Sequence, residues 1–352
     1  MCRTLLHPLL AALPKAEHHM HLEGALSPSL LFTLAARNSI TLPEPAIDAA
    51  FASPASLLDR YTRFSSLDDF LHYYFIGMKC LIKEQDFEQL AWEYFLKAKS
   101  DGVVHAEVFF DPQAHTGRGI TYETVVNGFT TACQRAEREL ELSTKLILCF
   151  LRHLPVEESR MTYAQARMDL ETGRLAGLGL DSSENGFPPG AWKEIYGTAK
   201  NKGIRRTAHA GEEGPVEYIR EALSELDVER IDHGIRLAED TSLMREVAQK
   251  KILVTMCPLS NVRLRCVKDV KELPIRTFLD SGVMFSINSD DPAYFGGYIL
   301  DNYCAVQEAF NLTAREWEGI AKAAVECSWC NSSRKTHLLE QLNETMVRFG
   351  HG

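Results

Sequence analysis

No apolar run in this chain reaches the ~18 residues that a membrane-spanning helix requires, and no block of lysine and arginine offers a basic face. Positive charge is in deficit throughout: 38 Lys and Arg stand against 48 Asp and Glu, for a formal charge of -10. Nucleic acid and anionic membranes both need basic surface. Neither is expected as a partner, whereas a small neutral substrate is compatible. Paired cysteine spacing is also scarce. The nine cysteines (2, 80, 133, 149, 257, 266, 304, 327 and 330) are odd in number, scattered and mostly inside apolar runs, which excludes a disulfide framework and reads as reduced thiols of the cytosol. Cys327 and Cys330 have CxxC spacing but no second pair, so a structural role is assigned to them. Internal repeats and low-complexity tracts are absent. Leu5 to Leu13, preceded by Arg3, resembles the core of a secretory leader, yet cleavage there would leave no room for the strand that follows. A short N-terminal helix is expected instead.

What is present is a composition of 45% apolar and 24% charged residues, able to bury one large core. Short β-rich runs alternate with amphipathic helical stretches, the rhythm of a parallel sheet with crossover helices. The runs are Glu17 to Leu22, Val103 to Phe110, Thr144 to Leu151, Leu175 to Leu180, Ile204 to His209, Arg230 to His233, Ile252 to Met256 and Val283 to Asn288. Eight such units close a barrel, whereas an open doubly wound sheet usually has five or six strands. The expected fold is therefore a single α/β domain over residues 1–352, a (βα)8 TIM barrel. It carries a helical insertion after strand one, about 27–100, with Ala46 to Ala55 looser, and a helical tail at about 300–350.

Barrel active sites form where strands end, and the notable polar residues fall there. His19-Met20-His21 alternates on strand one, so both imidazoles point into the barrel as two ligands for one ion. His209-Ala210-Gly211-Glu212 closes strand five, with one side chain for metal and one for proton transfer. Ser289-Asp290-Asp291-Pro292 closes strand eight; one carboxylate can reach the ion while the other faces a ligand. A helix-capping turn is the alternative for that Asp-Asp-Pro. Three imidazoles and one carboxylate suit zinc with a position left for water, whose pKa the ion lowers toward about 7. His233, ending strand six, is either a further ligand or the proton acceptor for that water.

Five segments in order, Pro14 to Gly24 (PKAEHHMHLEG), His209 to Glu212 (HAGE), Ile231 to Gly234 (IDHG), Cys257 to Asn261 (CPLSN) and Asn288 to Pro292 (NSDDP), resemble the adenosine and AMP deaminase superfamily. Phe109 to Gln113 (FFDPQ), Gly179 to Glu184 (GLDSSE) and Ala293 to Tyr298 (AYFGGY) are closer to its adenine deaminase branch, including the fungal enzymes. The resemblance implies that His19, His21, His209 and Asp290 hold one Zn2+ per chain. It implies that Glu212 hydrogen-bonds and protonates purine N1, that His233 orients and deprotonates the attacking water, and that Asp291 faces N7. The implied reaction is hydrolysis of adenine to hypoxanthine and ammonia in purine salvage, in the cytoplasm with the nucleus as a second compartment. Protonating N1 matters because attack at C6 pushes charge onto that nitrogen in the transition state. Where nucleoside deaminases of this superfamily have Leu-Ala-Gly after the strand-four Asp, this chain has Ser182-Ser183-Glu184. Ser183 and Glu184 are accordingly expected to contact the substrate, with Glu184 accepting the ring N–H of the free base that a nucleoside lacks. His18 stands where the family usually has leucine, and alternation turns it away from His19 and His21.

Three rival readings stand beside this one. A binuclear amidohydrolase also begins with HxH, but it normally needs a carboxylated lysine on strand four, and Leu175 to Ser183 contains none. Adenosine or N6-substituted purines are the alternative substrates within the superfamily. A catalytically dead purine-binding protein would be expected to have lost a ligand or the proton donor, and every position is filled.

Overall fold

The computed structural model describes residues 4–349, so Cys2, Arg3 and the last residue of the expected tail lie outside it. Eight parallel strands follow one another around a single sheet in the order of the sequence. They are β1 (Lys15–Glu17), β2 (Val103–Phe110), β3 (Ser143–Leu151), β4 (Gly177–Asp181), β5 (Arg205–Ala210), β6 (Arg230–His233), β7 (Leu253–Met256) and β8 (Phe285–Ile287). Five of them are buried along their whole length, with the exceptions confined to the first three residues of β2, β3 and β5. This is the pattern of strands covered on both faces by helices and by barrel interior. The fold is a (βα)8 barrel.

Closure involves the strand whose boundaries differ most from expectation. Glu17 to Leu22 was expected as strand one, whereas regular pairing ends at Glu17. The extended chain continues beyond it through single bridges, Met20 beside Asp290 and His21 beside Phe109. The bonds are His21 N–H to Asp290 O at 3.0 Å, Asp290 N–H to His19 O at 3.0 Å and Phe109 N–H to Met20 O at 2.8 Å. Both flanking strands therefore hold the HxH segment, without a continuous ladder on either side.

Between β1 and β2 the helices Pro28–Arg37, Pro54–Tyr61 and Leu67–Met78 begin at Ser27, Ser53 and Ser66, each side chain accepting a backbone N–H three residues on. Proline occupies the first helical position in two of them, where its missing N–H costs nothing. The next helix, Glu84–Ser100, packs against Tyr122–Leu140, so it belongs to the outer ring. Leu67–Met78 reaches over the barrel mouth. The tail consists of Ile299–Phe310, Ala314–Cys327 and Ser332–Phe349, and its middle helix packs on β8 and β1, covering the seam. His18 faces that seam: its ring nitrogens lie 3.2 Å from Ser286 Oγ and 2.9 Å from Ser328 Oγ. Facing out of the barrel, it is no part of the site. None of the eight described cysteines is in a disulfide, and among the described residues no helix is long and apolar enough to cross a membrane.

Candidate active site

A cavity opens at the ends of the strands, lined by His21, His209, Glu212, His233, Asp290 and Asp291 together with Asp111, Leu151, Asp181 and Ser182. Leu67, Phe70, Leu71 and Tyr74 of the overlying helix and Leu264 supply apolar wall. The mix of apolar wall with a few polar groups is that of a small-ligand pocket. Three of its polar residues, Ser182, His233 and Asp290, hold positive φ of 72°, 60° and 63°, conformations that cost a non-glycine residue energy and persist where surrounding structure demands them.

His19, His21, His209 and Asp290 each place a ligand atom within 4.8 Å of the others, all buried. His21 Nε2 faces His209 Nε2 at 3.3 Å, and His19 Nε2 lies 3.2 Å from Asp290 Oδ1. Two imidazole nitrogens turned toward one another and a buried His19 Nε2 without a hydrogen bond are what a bound cation would satisfy. The opposite ring nitrogens are held from behind. His19 Nδ1 is 2.8 Å from Thr255 Oγ1, whose hydroxyl donates to Asp232 at 3.0 Å, and His209 Nδ1 is 3.8 Å from the other oxygen of Asp232. His21 Nδ1 lies 3.5 Å from Asp181 Oδ2. Carboxylates and hydroxyls behind ligating histidines set ring orientation and leave Nε2 for the ion. Burial lowers His21 and His209 below the ordinary imidazole range, which keeps them in the neutral form a metal needs.

Two other clusters share these residues. His19, His233, Cys257 and Asp290 converge, but burial pushes the Cys257 thiol well up, away from the thiolate that ligates. His21, Asp111 and Asp181 also converge. A neutral imidazole has one lone pair, so the His21 nitrogen facing Asp181 carries the proton when Nε2 ligates. The donor set fits one ion.

Glu212 Oε2 stands 3.5 Å from His233 Nε2, and His233 Nε2 is 3.7 Å from Asp290 Oδ2. The Asn261 amide meets His233 Nδ1 at 3.2 Å from behind, so His233 presents Nε2 to the site. Burial first, then the charge of Asp290, raises Glu212 well above the usual carboxyl range, the condition for a general acid near neutral pH. Glu212 reaches the cavity because Gly211 turns the chain at φ +75°, where a Cβ would meet Ile219 Cδ1 at 2.5 Å.

The expected substrate contact of Glu184 is not what the structure shows. Neither Ser183 nor Glu184 lines the cavity. Glu184 Oε2 accepts the backbone N–H of Glu212 at 3.1 Å, of Glu213 at 3.0 Å and of Gly214. Its other oxygen lies 3.5 Å from Arg152 Nη1, and Arg152 Nη2 donates to the His209 carbonyl at 2.6 Å. Three amides in a turn outcompete an exposed ligand position for one carboxylate, and Glu184 holds the loop that carries Glu212. Reasoning from sequence missed Asp111 and Asp181 as cavity residues. Both lay inside motifs already singled out, FFDPQ and GLDSSE, at the last position of a strand or the one after it.

The fold and the candidate metal-ligand cluster fit a (βα)8 barrel of the adenosine deaminase family, to which this chain belongs: the family model for adenosine deaminase matches residues 14–345. Within that family, the chain is 59% identical over 346 residues to a protein of Aspergillus fumigatus named adenine deaminase, covering 98% of both chains. It is 56% identical to the Schizosaccharomyces pombe protein of the same name, covering 99% of this chain and 95% of the relative. Among solved structures, adenine deaminase from Arthrobacter aurescens superposes with a TM-score of 0.90 at 41% identity, covering 95% of this chain and 99% of that one.

Proposed function

We propose that this chain is an adenine deaminase, hydrolysing the 6-amino group of free adenine to give hypoxanthine and ammonia in purine salvage. The observation that carries the reading is a buried Glu212–His233 pair, 3.5 Å apart, set against a four-ligand metal site in one small cavity, in a chain whose near relatives bear that name. His19, His21, His209 and Asp290 would hold zinc, one ion per chain. Zinc in that position lowers the pKa of a water toward about 7 and so makes a nucleophile available at neutral pH.

The protein's own groups supply the rest. Glu212 hydrogen-bonds purine N1 and gives it a proton as water adds to C6, neutralising the charge that addition drives onto that nitrogen. His233 Nε2 takes the proton of the attacking water and returns it to the departing amine. C6 passes through a tetrahedral state, the C–N bond breaks, ammonia leaves, and Glu212 recovers its proton as hypoxanthine forms. Asp291 faces N7. Leu67, Phe70 and Tyr74 over the mouth exclude bulk water, which strengthens each of these contacts. The cytoplasm, with the nucleus as a second compartment, is where the salvage substrate would be met.

The test is ammonia release measured side by side on adenine, adenosine, AMP and an N6-alkyl adenine. Adenine should be the preferred substrate and hypoxanthine its product. Preference for adenosine or for the N6-alkyl base would reassign the substrate, and no ammonia from any of them with zinc bound would remove the activity.

A further inference from the structure

We infer that Asp111 is the residue that selects the free base, by accepting the ring N–H that adenine carries and a 9-substituted purine lacks. The inference rests on the purine deaminase reading above and adds the group that reads the far edge of the substrate.

Asp111 follows β2 and precedes Pro112, the N-cap position of the short helix Pro112–Thr116. An aspartate there ordinarily turns back to bond an amide of the first turn, but this one makes no such bond. Its backbone is pinned from the other side, the N–H donating to Glu23 Oε1 at 3.1 Å, and His115 Nε2 meets the same oxygen at 3.0 Å. The Gln113 side-chain oxygen is engaged as well, accepting the Leu151 N–H at 2.9 Å. Glu23 thus anchors the Asp111 backbone, while the Asp111 side chain lines the cavity. Tyr74 OH donates weakly to Oδ2 at 3.4 Å, and Oδ1, in a residue only 2% exposed, receives no N–H or hydroxyl donor, its neighbour in the cavity being the Asp181 carboxyl. A buried carboxylate oxygen left unpaired costs free energy that a ligand donor would recover.

The barrel order says which edge of the purine meets it. Glu212 follows β5, across the barrel from β1. With C6 at the metal ligands and N1 toward Glu212, the five-membered ring points to the arc of β8, β1 and β2. Two carboxylates stand on that arc, Asp291 after β8 and Asp111 after β2, both beside the β1 loop: Glu23 holds Asp111, and Gly24 passes so close to Asp291 that a Cβ would lie 2.1 Å from its Oδ1. Free adenine has one ring N–H, on N9 in its dominant tautomer. A nucleoside replaces it with a bond to sugar, which would leave Asp111 Oδ1 unpaired and compete with it for space. Sites built on a substrate N–H reject analogues without it by about 10⁴-fold or more.

The experiment compares kcat/KM for adenine and 9-methyladenine, a probe that removes the N–H while adding only a methyl group, in the parent and in Asp111→Ala and Asp111→Asn, with zinc content measured in each. The parent should disfavour 9-methyladenine by about 10⁴-fold. Asp111→Ala should lose most of its rate on adenine, keep its zinc, and bring the two substrates within about tenfold. Parent enzyme that deaminates both bases at similar rates would overturn the role of Asp111 while leaving the adenine deaminase reading intact, and this arm needs no variant to fold. A parent that deaminates neither base brings down the broader reading. A variant that keeps the parent's discrimination, or two zinc equivalents per parent chain with one lost on Asp111→Asn, would give Asp111 another role and overturn the proposal.

Discussion

Glu184, buried on β4's side of the barrel, accepts the backbone N–H of Glu212 at 3.1 Å with the same oxygen that receives the next two amides. That single carboxylate sets where the proposed proton donor stands. Glu184→Ala would leave three buried amides in search of water and Arg152 without its counter-charge. We expect kcat on adenine to fall about 10²-fold, the scale of a misplacement near 1 Å. Zinc and KM should stay within a few-fold, and Glu184→Asp should recover part of the loss. Steady-state kinetics check it. A changed adenine-to-adenosine ratio with kcat preserved would return Glu184 to the substrate.

Glu212→Gln keeps a hydrogen-bonding group of the same shape but has no proton to give. Turnover should fall by several orders of magnitude, about the 10²–10⁴ of acid catalysis or more, while bound zinc and the thermal midpoint stay at parental values. Near-parental turnover in this variant would take Glu212 out of its role.

Gly24→Ala would place a methyl group 2.1 Å from Asp291 Oδ1 and 2.7 Å from Asp291 Cα. Backbone cannot yield as a flexible side chain can, so Asp291 must move. We expect kcat/KM on adenine to drop at least about 10²-fold with zinc retained, measured by ammonia release against elemental content.

Lys15 is a predicted source of pH-dependent stability remote from the cavity. Its ammonium is buried, donates to the Leu13 carbonyl at 3.0 Å and lies 5.3 Å above the Tyr303 ring, and burial pushes its pKa down to about 7. Between that value and the 10.5 of an exposed lysine the unfolded chain binds more protons than the folded one, so this group makes stability rise with pH across that window. Lys15→Met should flatten the rise in urea midpoint between pH 7 and pH 9.5. Parallel profiles for parent and variant would contradict the assignment.

Much of this was legible in the residue order. β2 and β6 lie where alternation and β-branched content put them, and the positions of His19, His21, His209, Glu212, His233, Asp290 and Asp291 at strand ends follow from the parallel-barrel rhythm alone. β1 differs from expectation because EHHMHL has strand-like alternation while its hydrogen bonds are shared between two neighbours that approach at single points. Glu184 was misassigned for a different reason: nothing local in SSEN reveals that three amides from the β5 loop, about thirty residues on, will converge on its carboxylate. Asp111 stands before Pro112 at a helix N-cap position, and nothing in FFDPQ marks its side chain as a cavity group. Only the structure shows that the cap is not made and the carboxylate faces inward.

The most direct test of the account is a metal titration. Chelation should strip the purified chain of activity on adenine, and adding zinc back stepwise should restore it in proportion up to one equivalent per chain, then stop. His19→Ala should neither hold the ion nor recover. Activity that survives stripping, or that climbs until two equivalents are bound, would contradict a single ion held by His19, His21, His209 and Asp290.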